Sequence, residues 1–163
     1  MTERSVTHAT FVIEREFAVA PARVFAAWAD PAARDRWFVR DDAWDLSEYE
    51  QDFRVGGREH GRFRQKPGEP TYANDTLYQD IVPDQRIVYA YTMKQDAALI
   101  SVSLATVELK PDGGGTRLVY TEQGAFLDGL DTASRREQGW AELLDKLQAQ
   151  VQQEHVRQER AKD

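Results

Sequence analysis

Cysteine is missing from the chain, which removes disulfides, thiol nucleophiles and thiolate metal ligands together. Histidine is scarce. His8, His60 and His155 lie near the two ends and in the middle, and no pair has the close spacing that zinc requires. Nucleophile-elbow and dinucleotide-binding motifs are absent. A phosphate loop is hinted at only by Gly56 and Gly61, and Arg62-Phe63 stand where Lys and Ser/Thr belong. No apolar run approaches the ~20 residues that cross a bilayer, and Met1 to Thr10 lacks the basic-then-apolar order of a secretory signal. The expectations are therefore no metal, no cofactor, no membrane and a cytoplasmic location.

Basic residues are also in the minority, with a net charge of -7. A nucleic-acid partner, whose phosphates need a positive face, is not expected. Arg58, Arg62, Arg64 and Lys66 form the only basic cluster of note in the strand region, and they read as a solvated strand face flanked by Glu59 and Glu69. The chain has 163 residues, 41% hydrophobic and 30% charged, the balance of a globular protein able to bury its own core. One domain over residues 1–163 is expected, with its core over about 8–155. Monomer and homodimer both stay open.

Apolar spacing gives the element order. His8 to Ala18 alternates Phe11, Ile13 and Phe17 on one parity, as a strand does. Pro21 opens a short helix whose Val24, Phe25 and Trp28 share a face. Asp30-Pro31 closes it and starts another that ends near Trp37-Phe38. Strands follow over Trp44 to Val55, Arg58 to Gln65, Tyr72 to Val82, the Ile87 to Met93 region, Ile100 to Lys110 and Thr116 to Ala125. They are punctuated by Gly56-Gly57, Lys66-Pro67-Gly68, Pro83-Asp84 and Pro111 to Gly115. On the fourth of these, Ile87, Tyr89, Tyr91 and Met93 form a large-residue face. From about Thr132 to Glu159 the period becomes helical, with Trp140, Leu143, Leu144, Leu147 and Val151 in one stripe. Ser134 to Glu137 fits a capping box, with Asp131 or Thr132 as the other candidate caps. Strands and helices segregated in this way predict an α+β helix-grip fold: a curved antiparallel sheet around a long C-terminal helix, with two short helices after the first strand.

The run Ala20-Pro21-Ala22-Arg23-Val24-Phe25-Ala26-Ala27-Trp28 before Asp30-Pro31 resembles the opening of the START/Bet v 1-like (SRPBCC) superfamily. It is closest to the branch related to the C-terminal domain of the Hsp90 ATPase activator Aha1. Four further segments match in order: Phe53 to Gly57; Asp80 to Tyr89; Val107-Glu108-Leu109 with Gly113 to Leu118; and Gly139-Trp140 with Leu143 and Leu147. The resemblance runs from about residue 10 to about 151. It implies an internal cavity between sheet and long helix. It does not choose among ligand binding, polyketide cyclase or aromatase chemistry, and a cochaperone-like surface role. Relatives often carry His where this chain has Glu122, so a mechanism built on that imidazole does not transfer.

Within such a fold, a pocket lined by Trp37, Tyr78, Tyr89, Tyr91, Glu122 and Trp140 is expected, holding a small apolar or aromatic molecule. Glu122 shares parity with Leu118 and Tyr120. It reads as an inward carboxylate available to a ligand or a proton, as one salt-bridged to an inward arginine such as Arg15, or as one that the strand twists to solvent. Asp80 shares parity with Tyr78 and has similar standing. Convergence of two or more ionisable side chains within hydrogen-bond reach inside the cavity would favour an enzyme, and a lone carboxylate would favour binding.

Overall fold

The computed structural model describes residues 3–41 and 43–162. Met1, Thr2, Asp42 and Asp163, which the expected domain span includes, lie outside the described residues. Seven antiparallel strands form one sheet in the order β1-β7-β6-β5-β4-β3-β2. These are β1 Val6–Phe17, β2 Asp45–Gln51, β3 Arg58–Arg64, β4 Tyr72–Val82, β5 Arg86–Gln95, β6 Ala98–Asp112 and β7 Gly115–Leu127. Between β1 and β2 lie helix α1 (Pro21–Ala29), helix α2 (Pro31–Arg34) and a π-helical turn, Asp35–Val39. Helix α3 spans Ala133–Ala161. The helix-grip α+β architecture is the one the sequence predicts.

Local chemistry explains the boundaries. Proline occupies the first position of both α1 and α2, where its missing N–H costs nothing. Asp30 caps α2 by accepting from the Ala32 N–H at 3.2 Å. Thr132, rather than Ser134, caps α3: its hydroxyl accepts from the Arg135 N–H at 3.2 Å. Gly56 turns the chain into β3 with a φ of 82°, a conformation that disfavours any residue with a Cβ. Register shifts at Leu46/Glu48, Tyr78/Asp80 and Met93/Lys94 mark bulges, which bend and twist their strands and help curl the sheet.

The concave face grips α3. Trp140, Leu144, Leu147 and Val151 are buried, with both leucines fully enclosed, and each leucine contributes roughly 1.5–3 kcal/mol by leaving water. Leu143 is half-buried and borders a cavity. The helix continues through Ala161 with a largely exposed surface, past the point where the apolar stripe ends. Arg15, weighed above as a partner for Glu122, instead reaches α3. It donates to Asp145 Oδ1 at 2.9 Å and to the Ala141 carbonyl at 3.3 Å. No helix among the described residues is long and apolar enough to cross a membrane.

Candidate functional site

A cavity of about 320 Å³ lies between the concave side of β2–β5, the π-helical turn and the N-terminal half of α3. Phe38 and Val39 border it from the turn; Trp44, Leu46 and Phe63 from the β2–β3 side; Met93 from β5; and Leu143 from α3. Trp44, Phe63 and Tyr72 form an aromatic cluster at that end, with Trp44 edge-on to Phe63 at 5.2 Å. Asp41, Asp131, Arg135, Glu142 and Lys146 bring charge of both signs to the lining.

Of the six residues expected to line a pocket, Tyr89, Tyr91 and Trp140 border this one, and Trp37, Tyr78 and Glu122 do not. Trp37 is fully buried. Its indole N–H donates to the Ala27 carbonyl at 2.8 Å, which ties the ring under α1, and its neighbour Phe38 borders the cavity instead. Tyr78 packs edge-on against Phe53 at 5.1 Å, and its hydroxyl accepts from Gln51 at 3.1 Å. Burial, opposed by Arg34, pushes that hydroxyl up to about 12. Asp80 is not inward at all. The bulge after Tyr78 reverses its parity, so it lies opposite Val88 and pairs with Arg86 at 2.7 Å.

Glu122 is fully buried beneath the aromatic wall. Its Oε1 accepts from the hydroxyls of Tyr91 at 2.6 Å and Tyr120 at 2.7 Å. Its Oε2 accepts from Ser103 at 2.9 Å and from Arg136 at 3.3 Å. Arg136, on the first turn of α3, also donates to Tyr91 at 3.0 Å, Ser101 at 2.7 Å and Asp131 at 3.0 Å. Burial disfavours the Arg136 charge, but Tyr91, Glu122 and Asp131 outweigh that and raise its affinity for the proton. The Tyr91 hydroxyl donates to Glu122 and accepts from Arg136 and, at 3.2 Å, from the Trp140 indole. Burial, opposed by Arg136 and reinforced by Glu122, pushes this hydroxyl well above its usual range. Trp140 stacks on Tyr120 with centroids 4.4 Å apart, which fixes the wall.

A second buried pair underlies the other side. Arg34 Nε and Nη2 donate to Glu59 Oε2 and Oε1 at 3.1 and 3.0 Å, a two-pronged pairing, and the Tyr49 hydroxyl donates to the same carboxylate. Burial alone would disfavour the Arg34 charge, but Glu59 outweighs it and holds the proton firmly. The guanidinium lies 3.7 Å from the Phe38 ring centroid and 4.8 Å from that of Trp37, so cationic and aromatic faces stack. The sequence reading placed Glu59 beside the basic strand face. In the structure it points the other way, because Glu59, Gly61 and Phe63 share the inward parity while Arg58, His60 and Arg62 face out. That alternation is the signal that could have identified Glu59. Arg136 carried no comparable signal, since a helix surface admits arginine anywhere.

The family model described as activator of Hsp90 ATPase homolog 1-like protein matches residues 18–152. The Mll3558 protein from Rhizobium loti is 52% identical over 90% of this chain and 99% of its own, with a TM-score of 0.84. An uncharacterised protein from Rhizobium leguminosarum is 43% identical over 93% of this chain and 99% of its own, with a TM-score of 0.87. An AHSA1-like protein from Aeromonas hydrophila is 20% identical over 90% or more of both chains, with a TM-score of 0.68, and shares the fold. Among proteins of curated function none matches. With the family model covering most of its length and the helix-grip fold in place, the chain belongs to the activator of Hsp90 ATPase homolog 1-like family.

Proposed function

We propose that this protein is a binding module for a small, mostly apolar, aromatic-bearing molecule held in the cavity between sheet and long helix. The observation that carries the reading is the make-up of that cavity. About 320 Å³ is bordered by Phe38, Trp44, Phe63, Met93, Leu143 and Trp140, and although charged residues such as Asp41, Arg135 and Glu142 also border it, most of its accessible wall is apolar. Such a volume sits at the small end of ligand pockets, roughly 300–1,000 Å³. Tyr89, Tyr91 and Trp140 are the expected contacts. Trp37, Tyr78 and Glu122 support the wall from behind.

Acid–base catalysis is less well supported. Glu122 accepts from four protein donors and so has no lone pair in reserve for a substrate proton. Glu59 is engaged by Arg34 and Tyr49. The Tyr91 proton is committed to Glu122. Glu59, Tyr91 and Arg136 converge at the cavity wall, but their hydrogen bonds run to one another and to Glu122.

Native mass spectrometry of the purified protein tests the proposal. A small adduct released on collisional activation, displaced by an aromatic probe that also quenches tryptophan fluorescence saturably, is expected. An adduct-free protein that no aromatic probe quenches saturably would contradict it.

A further inference from the structure

Two polar side chains on the cavity wall are not used by the protein. Asn74 and Thr76 face inward from β4, are 7% and 3% exposed, and border the cavity. No hydrogen bond joins either side chain to the protein among the described residues, and their polar atoms stay open to the cavity, where Arg34 Nη1 is also a buried donor without a partner. Thr76 lies between Glu59 on β3 and Tyr91 on β5. Glu59 is held by Arg34 and Tyr49, and the Tyr91 hydroxyl by Glu122, Arg136 and Trp140. Asn74 lies between Gly61 and Met93. A Cβ on residue 61 would collide with Asn74 Oδ1, so glycine there gives the carboxamide its place. An amide and a hydroxyl that face a cavity without protein partners are the groups a ligand held there would bond to, and a ligand that covered them without bonding would do so at a cost.

Charge narrows what that something is. The Arg34 guanidinium is matched by Glu59. Arg136 is matched by Glu122 and again by Asp131, one cation against two carboxylates. An anionic ligand beside Asn74 would find both buried guanidinium groups already matched by carboxylates, while Arg135, which borders the cavity without an ion pair among the described residues, is exposed to solvent. An ammonium ligand would meet two buried guanidinium groups and no free carboxylate on the sheet side.

We infer that Asn74 and Thr76 are the recognition pair of this cavity, and that its occupant is an uncharged aromatic molecule carrying an oxygen acceptor such as a ketone carbonyl. The Asn74 amide and the Thr76 hydroxyl each supply a donor for that oxygen, while the aromatic wall takes the ring. The inference rests on the cavity reading above and adds the polarity and charge of the ligand.

Three probes of one shape test it by tryptophan fluorescence titration: 2-acetylnaphthalene, 2-ethylnaphthalene and 2-naphthoate. The ketone should bind about tenfold tighter than the hydrocarbon, the margin a hydrogen bond to an otherwise unpaired buried donor gives. The carboxylate should be the weakest of the three. In a protein carrying Asn74→Leu and Thr76→Val, the ketone should lose its advantage while the hydrocarbon binds as before. Equal affinity for ketone and hydrocarbon in the native protein overturns this inference alone and leaves the cavity reading standing. Tightest binding of naphthoate overturns the charge argument and the inference with it. Failure of all three probes to bind overturns the cavity reading itself.

Discussion

Replacing Arg136 with methionine isolates what holds the wall of the cavity together. Glu122 is fully buried, and Arg136 is only 8% exposed. The substitution keeps most of the side-chain volume but strips Glu122 of its only cationic partner among the described residues, 3.3 Å away. Three hydroxyls would still face the carboxylate, yet a dipole does not neutralise a charge. Breaking a buried pair from one side costs about 3–5 kcal/mol, and that is the expected loss in urea unfolding at neutral pH. Removing the other partner should cost less. In Glu122→Gln, Arg136 keeps Asp131 at 3.0 Å and Ser101 at 2.7 Å, so the remaining charge stays matched. The double variant should be more stable than Arg136→Met alone, because no uncompensated carboxylate remains. Circular dichroism and tryptophan fluorescence, read together across the urea transition, supply the free energies. A loss below about 1 kcal/mol for Arg136→Met, or a double variant no better than that single one, would refute the reasoning.

Leu147 is fully buried in the stripe of α3, so Leu147→Ala should cost roughly 2–5 kcal/mol by the same unfolding assay. Gly61→Ala should lower ligand affinity more than stability, because the new methyl displaces the Asn74 carboxamide; probe titration beside a melting curve separates the two. On the outer face, His60 sits between Asp75 at 2.7 Å and Glu48 at 3.1 Å. The bond to Asp75, opposed by partial burial and joined by Glu48, holds its imidazole above the ordinary 6.5. Its contribution is therefore fully present below about pH 6.5 and is lost as pH rises through the higher folded value. Melting temperature should fall across that window in the native protein and fall less in His60→Gln.

Much of the frame could be read from residue alternation. Tyr72–Val82 is the strand the sequence predicts, and Ile87, Tyr89 and Tyr91 are buried together as their shared parity requires. The stripe of α3 was legible because its period persists for three turns. Errors arose where a local irregularity broke the period. The bulge after Tyr78 turned Asp80 outward, and the π-helical turn left Phe38, not Trp37, on the cavity. The charged pairs were the least legible. Arg34 and Glu59 are 25 positions apart and Glu122 and Arg136 are 14 apart, and nothing in either segment alone specifies its partner. Asn74 and Thr76 share the parity of Tyr78 but were not singled out from the sequence, and only the structure shows that they border the cavity.

The most direct test of ligand binding in the cavity is the indole N–H region of a heteronuclear correlation spectrum recorded during titration with 2-acetylnaphthalene. Trp44 and Trp140 border the cavity, while the Trp37 indole is bonded to Ala27 within the core. The account predicts saturable shifts of the Trp44 and Trp140 signals with little change at Trp37. Saturable shifts confined to backbone amides of the convex face, or no saturable shift at either cavity tryptophan, would contradict it.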